Sequence, residues 1–435
     1  MDQKILLFVF NLFLLIAIPI HSRNIGKFVA FNDIHVDLNY KIGSMAECDL
    51  PSSNCCRDMP TKGYTGTIAQ KWGMKTCQTT KATFEAGVKA AAAEKDIDFF
   101  LLLGDFPSMD IWRQTKEYNK EDDTYIIDTI KKYIDYPVIP ALGNHDLHPA
   151  DEFDCGGGTS WFYNFMADQY QQWLPEDTTT FRFCGWYAHT VFPKLKFIIL
   201  NNMLCDPHNI YELDFHNFPK QQLDWLQSEL EDARVKKQKV YIVTHIPIGP
   251  DTTDIWPPVC WYDYTMLYAK VWANYSDIIV AGFSGHTHND EYKIIYDSET
   301  GKIPKGMFLI SPSFTNEGNR YSGYRIYEYD KDTFEIINYK QYYADVFERK
   351  GDESPPSWDL YYDFSSTYKP FGIDGVSPTS LQTLTNNLST NESLYETFAS
   401  LFSPLKEMYT DNKKRQLICG LSVTTQDQHL DCIKN

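Results

Sequence analysis

Seven short apolar runs recur along the chain: residues 28–32, 99–103, 138–142, 197–200, 240–244, 278–281 and 307–310. Each is dominated by Val, Ile, Leu, Phe or Ala and reads as a buried strand. Helix-like stretches fall between several of them, over residues 81–95, 124–134, 221–233 and 264–274. Alternating strand and helix predict an α/β layered domain. Beyond residue 305 the pattern changes. Residues 307–310, 323–329 and 334–339 read as successive antiparallel strands. Farther on, Pro and Ser punctuate a helical tail that contains Cys419 and Cys432. Residues 41–78 hold four cysteines and little periodicity, which predicts a disulfide-tied loop after the first strand.

Composition narrows the class. The chain has 435 residues, enough for one large domain and an appendage. Hydrophobic residues make up 43%, with 29 Tyr and 27 Phe, so a sizeable core is expected. The net charge of -18 repels phosphate backbones and argues against binding of nucleic acid polymers. The pI near 5.0 suits an acidic compartment. At the N-terminus a lysine precedes an apolar block over residues 5–20, shorter than the roughly 20 residues of a membrane span. Residues 1–22 are therefore predicted to be a signal peptide. The C-terminal end lacks the hydrophobic tail of a glycolipid anchor. The expected destination is the extracellular medium or the lysosome. Ten cysteines fit that route and predict disulfides, with partners that spacing alone leaves open. Sequons at Asn274, Asn387 and Asn391 are predicted glycan acceptors.

Five of the strand-like runs lead into Asp, Asn or His. The segments are Asp33-Ile34-His35, Gly104-Asp105, Gly143-Asn144-His145-Asp146, His245, and Gly285-His286-Thr287-His288. Carboxylate, amide oxygen and imidazole nitrogen are the donors that divalent metals take. In α/β sheets, ligands bind at the carboxyl ends of strands, where all five segments are expected. Each segment alone is weak: a lone Asp-x-His is usually turn chemistry, and Gly-Asn-His-Asp is often only a turn. The ordered set predicts a two-metal phosphoesterase. Two metals about 3.5–4 Å apart activate water and neutralise a phosphate ester. A carboxylate touching both would hold that spacing, and Asp105 is the natural bridge. His286 and His288, two apart in an expected extended segment, would point the same way. His148, His189, His208, His216 and His429 take structural readings, although His148 and His208 are expected in loops that could reach the site.

These motifs resemble the calcineurin-like metallophosphoesterase family. That resemblance implies a four-layer sandwich, with two central mixed β-sheets flanked by helices and a small helical C-terminal region. It implies a catalytic domain over residues 23–345 and a disulfide-closed helical region over 346–435. It sorts the ligands: Asp33, His35 and His288 for one metal, Asn144, His245 and His286 for the second, and Asp105 between them. His145 would stabilise or protonate the phosphate, and Asp146 would orient His145.

Longer stretches resemble the acid sphingomyelinase-like phosphodiesterase branch, among them Asp105-Phe-Pro-Ser-Met-Asp-Ile-Trp, Phe183-Cys-Gly-Trp-Tyr-Ala and Ser322-Gly-Tyr-Arg-Ile-Tyr. The resemblance runs from about Lys27 to the C-terminus. It implies the pairs Cys48–Cys55, Cys56–Cys77, Cys205–Cys260 and Cys419–Cys432, leaving Cys155 and Cys184. The saposin module of acid sphingomyelinase is not expected, since the predicted signal peptide ends shortly before Asp33. The branch pattern places a histidine where this chain has Met109, which cannot donate a proton. Ser108 replaces the tyrosine of purple acid phosphatases, which favours two Zn2+ over ferric iron, though other divalent metals fit the same cage.

Three readings follow. The first is a secreted zinc phosphodiesterase that hydrolyses sphingomyelin to phosphocholine and ceramide, with transient contact at a membrane surface. The second keeps the chemistry for soluble nucleotide phosphodiesters or nucleoside polyphosphates, with Trp112, Trp186, Trp256 and Trp261 as candidate stacking residues. The third is a secreted binding protein with a site weakened at Met109.

Overall fold

The computed structural model describes residues 24–48, 55–58, 63–211, 217–297, 299–347, 349, 351, 353–402 and 411–434. The predicted signal peptide and His216 lie outside the described residues. Twelve strands form two six-stranded mixed sheets among the described residues. The first sheet runs β12-β11-β10-β1-β2-β3, from β1 (Ile25–Phe31), β2 (Phe99–Leu102), β3 (Val138–Pro140), β10 (Ser322–Asp330), β11 (Ile336–Ala344) and β12 (Asp359–Asp363). The second runs β4-β5-β6-β7-β9-β8, from β4 (Tyr187–Phe192), β5 (Leu195–Ile199), β6 (Lys239–Val243), β7 (Ile279–Ser284), β8 (Glu291–Tyr296) and β9 (Pro304–Ile310). β1, β2 and β3 are parallel, as are β5, β6, β7 and β9.

Aromatic rings join the two sheets. Phe28 stacks on Phe99 at 4.5 Å and Tyr327 at 4.9 Å within its own sheet, and meets Phe283 of the other edge-on at 5.2 Å. Tyr241 packs on Phe283 at 5.2 Å. Such pairs add about 0.5–1.5 kcal/mol each beyond the area they bury. The sheets are thereby fixed face to face, with their parallel strands delivering loops to one rim.

Helices cover the sheets. α1 (Lys81–Ala92) and α2 (Lys116–Tyr133) pack together beside the first sheet. Both start at a threonine whose hydroxyl accepts a backbone N–H: Thr80 from Thr83 and Thr115 from Tyr118, each at 3.1 Å. α3 (Ser160–Gln169) and α4 (Thr179–Cys184) precede β4. α5 (Phe218–Val235) and α6 (Tyr262–Asn274) pack on the second sheet. After β12 come α7 (Phe364–Tyr368), α8 (Pro378–Leu388), α9 (Glu392–Phe402), α10 (Asp411–Ser422) and α11 (Gln426–Lys434). Among the described residues no helix is long and apolar enough to cross a membrane.

Three expectations change. β9 does not pair with the strand over residues 323–329. It sits inside the second sheet, between β7 and β8, and it is buried from Gly306 to Ile310. Burial on both faces suits an interior strand, which an apolar run alone cannot assign to a sheet. The region after residue 346 is not wholly helical, because β12 extends the edge of the first sheet. α2 begins eight residues before the predicted 124, since its first turns bury Asn119, Asp122 and Asp123, polar groups that break an apolar period. All ten cysteines pair: Cys48–Cys55, Cys56–Cys77, Cys155–Cys184, Cys205–Cys260 and Cys419–Cys432.

Candidate metal centre

The five segments meet at the rim where β1, β2, β3, β6 and β7 end. Asp33 and His35 follow β1, Asp105 follows β2, Asn144 follows β3, His245 follows β6, and His286 and His288 follow β7. Tight turns bring them in. Asp33, His35, Asp105, His286 and His288 all take left-handed backbone, with φ of 48°, 44°, 59°, 72° and 59°. Strain of this kind costs about 1–3 kcal/mol per residue and clusters at functional sites. The loops also approach closely: a Cβ on Gly143 would lie 2.1 Å from the backbone nitrogen of Asp105. The segment of His286 and His288 is therefore not extended. The two imidazoles address different partners instead of pointing the same way.

Asp33, His35, Asp105 and His288 each offer a ligand atom, all within 4.8 Å of one another. His35 Nε2 lies 3.4 Å from Asp105 Oδ2 and 3.2 Å from His288 Nε2, and His288 Nε2 is 3.3 Å from Asp33 Oδ1. A second set adjoins the first. Asn144 Oδ1 lies 2.9 Å from His245 Nε2 and 3.0 Å from His286 Nδ1, and His245 Nε2 is 3.2 Å from Asp105 Oδ2. One oxygen of Asp105 thus faces both sets.

Backbone contacts fix these donors. His35 Nδ1–H donates to the Pro107 carbonyl at 2.8 Å, and His245 Nδ1–H to the Leu103 carbonyl at 2.6 Å. In the neutral ring each Nε2 then carries only a lone pair, aimed at carboxylate, amide oxygen or another imidazole. Acceptors converging on acceptors repel unless a cation lies between them, so this donor set fits a divalent metal. The carboxylates are held too. Asp33 accepts the His286 N–H at 3.0 Å, and Asp105 accepts the His145 N–H at 2.9 Å. Asp151 accepts the Asn144 Nδ2–H at 2.8 Å, which turns the amide oxygen inward.

Electrostatics agree with that reading. Burial pushes His35 down to about 3, so its ring is neutral and available as a ligand. Burial also lowers His286. Burial acts to raise Asp33, but His288 and His245 hold it well below the usual carboxylate range. Burial acts to lower His245, yet Asp105 and Asp33 raise it to about 10. A metal cation would satisfy those two carboxylates in place of that proton.

A mouth of about 350 Å3 opens over the centre and is lined by Asp105, Asn144, His145, His286 and His288, together with Met109, Thr287, Glu317 and Arg320. His145 stands edge-on to His35 at 5.3 Å, and its Nδ1 is buried without a partner. Asp146 is placed differently from the expected orienting role. Its two oxygens accept the N–H groups of Phe106 and Gly143, each at 2.7 Å, and none bonds the His145 ring. Burial and Asp105 raise it to about 7. Asp146 clamps two ligand loops together and is a positioning residue. His148 and His208 do not line the mouth, and His208 pairs with Asp206 at 2.9 Å. Trp186 is buried, whereas Trp112 and Trp256 are 69% and 63% exposed.

Sequence reasoning missed the support beneath Met109. Arg57, buried beside the Cys56–Cys77 bridge, donates from Nε to Asp37 at 2.8 Å, from Nη2 to Ser108 at 3.1 Å, and from Nη1 to Asp110. It ties the cysteine-rich loop to the segments after β1 and β2. Lone Arg and Asp residues carry no local signal of such pairing.

Residues 26–290 match the calcineurin-like phosphoesterase family, and residues 305–435 match the acid sphingomyelin phosphodiesterase C-terminal region. The chain belongs to this family. It is accordingly a phosphoric diester hydrolase with a divalent-metal site. It is 30% identical over 420 residues to sphingomyelin phosphodiesterase A of Dictyostelium discoideum, covering 94% of this chain and 68% of that protein. It is 29% identical over 397 residues to human sphingomyelin phosphodiesterase, covering 87% of this chain and 60% of that protein. A human cyclic GMP-AMP phosphodiesterase is 27% identical over 440 residues, covering 96% of this chain and 92% of that protein.

Proposed function

We propose that the protein is a secreted, two-zinc phosphodiesterase that hydrolyses sphingomyelin, or a closely related phosphodiester, to phosphocholine and ceramide. The observation that carries this reading is Asp105 Oδ2, shared between two donor sets at one rim. Asp33, His35 and His288 would hold one cation and Asn144, His245 and His286 the other, with Asp105 common to both. When bound, the cations lower the pKa of water from about 16 towards 7 and neutralise phosphoryl oxygens.

The chain's own residues do the rest. Asp146, Asp151 and the backbone carbonyls of Leu103 and Pro107 hold the ligand atoms in place. His145, over the mouth, donates to the phosphate or to the departing oxygen. Water attacks phosphorus, the P–O bond to the ceramide oxygen breaks, and a proton returns to that oxygen. The substrate assignment is supported by the sphingomyelin phosphodiesterases it resembles, and by exposed apolar side chains on rim loops. Ile111 and Trp112 follow β2, Ile210 follows β5, and Ile255 and Trp256 follow β6. Tryptophan suits the boundary of an apolar phase and water, which fits transient contact with a lipid surface. Five disulfides support an oxidising compartment and hence secretion. Asn274 and Asn391 are exposed and Asn387 half-buried, so N-glycans have room at the first two.

Soluble nucleotide phosphodiesters are the second reading, favoured by the near full-length match to the cyclic GMP-AMP phosphodiesterase. Sphingomyelin micelles and a nucleotide panel assayed side by side, with His286→Ala as the blank, separate the two. Phosphocholine release that the blank lacks supports the lipid reading, and turnover of nucleotides alone transfers the protein to the second.

A further inference from the structure

The mouth over the metal centre contains one cation other than imidazole among its described lining residues, Arg320. Its backbone is held on a firmly anchored turn. Phe314 N–H bonds the Asn32 carbonyl and Thr315 N–H the Asp33 carbonyl, both at 2.9 Å, while Asn319 N–H reaches the Lys75 carbonyl at 3.2 Å. The turn is thus tied both to the first ligand loop and to the cysteine-rich loop. The guanidinium itself is poorly satisfied. Nη1 donates to the Glu317 carbonyl at 3.3 Å, and Nε is buried with no hydrogen-bond partner. Burial disfavours its charge, and Glu317 and Asp33 favour it. Arg320 is half-buried, and leaving its buried Nε–H unpaired costs free energy that an anion beside the guanidinium offsets. Planar N–H donors match phosphate oxygens in geometry as well as charge. Met109 lines the same mouth and offers no donor.

We propose that Arg320 is a further catalytic residue, whose guanidinium binds a non-bridging oxygen of the scissile phosphoryl group and supplies the donor that Met109 lacks. The proposal rests on the phosphodiesterase reading of the site but not on which diester is the natural substrate. Charge on the phosphoryl oxygens grows towards the transition state, so a fixed donor there accelerates the step and strengthens phosphate binding together. A merely structural arginine would change stability and leave phosphate affinity unmoved.

The test uses the metal-loaded full chain and its Arg320→Gln, Arg320→Lys, Met109→His and Arg320→Gln/Met109→His variants. Bound metal, melting temperature, inorganic phosphate affinity by calorimetry, and turnover of bis(p-nitrophenyl) phosphate are measured on each. Arg320→Gln is expected to keep its metals, to bind phosphate about tenfold more weakly, and to lose about 100-fold in kcat/KM. Arg320→Lys should fall between the two. Met109→His should recover about tenfold in the Arg320→Gln background and do little in the native one. Should Arg320→Gln fail to fold, Arg320→Lys decides by its phosphate affinity at intact metal content. Unchanged phosphate affinity and turnover in the folded variants would overturn the proposal. Native turnover of the chromogenic diester without release of phosphocholine from sphingomyelin would remove the lipid reading and leave Arg320 standing.

Discussion

At the residue scale, the site depends on which atoms are left without hydrogen bonds. His35 and His245 give their Nδ1 protons to backbone carbonyls, so in the neutral ring each turns only an Nε2 lone pair to the centre. His145 differs, because its backbone N–H holds Asp105 while its ring stands over the mouth with Nδ1 unpartnered. We propose that its ring serves the substrate and does not hold metal. His145→Gln is expected to retain the metal content of the native protein and to lose about 10²–10⁴-fold in kcat, the usual worth of a positioned proton donor. Metal analysis alongside turnover checks both parts. Loss of metal in that variant would place His145 among the ligands.

At the element scale, strand ends were readable and supports were not. Each ligand segment follows an apolar run, so a sheet rim carrying Asp33, Asp105, Asn144, His245 and His286 was legible from pattern alone. The allocation of strands was less so. β8, the edge strand beside β9, does not look buried in the sequence because it carries Glu291 and Lys293, which pair at 3.3 Å. β9 then joins the second sheet because β8 covers its far edge. The resemblance to a known branch supplied four disulfide pairs that spacing left open, and the structure adds Cys155–Cys184. Arg57 was invisible because Asp37, Ser108 and Asp110 are distant in sequence, and Asp151 because its bond to the nearby Asn144 amide sits in an aperiodic loop. Arg57 is the clearest test of how the cysteine-rich loop is joined to the metal rim. Removing it leaves Asp37 and Asp110 buried without their cation. Arg57→Met is therefore expected to destabilise the fold by about 3–5 kcal/mol in denaturant unfolding. A change below about 0.5 kcal/mol would mark the cluster as incidental.

At the scale of the whole molecule, buried acids link the fold to pH. Asp123 on α2 is 1% exposed, neither of its oxygens has a hydrogen-bond partner, and burial, then Asp146, raises it well above its ordinary value of 3.8. Its folded-state pKa exceeds its unfolded one, so the folded state binds the proton more tightly. The stability it contributes is complete below the unfolded pKa and is lost as pH rises through the raised folded value. Asp146, raised to about 7, acts in the same direction. The melting temperature is expected to be higher at pH 5 than at pH 7.5, and Asp123→Asn should narrow that gap by raising the value at pH 7.5. A native profile that climbs towards pH 7.5 would show that other groups govern acid stability.

The most direct measurement is phosphocholine release from sphingomyelin while metal-stripped protein is titrated with Zn2+, with Asp105→Asn in parallel. The account predicts turnover that climbs to a plateau at two equivalents per chain and is absent from Asp105→Asn, whose loss removes the oxygen that both donor sets share. No phosphocholine release at two bound equivalents, or release that needs no metal, would contradict it.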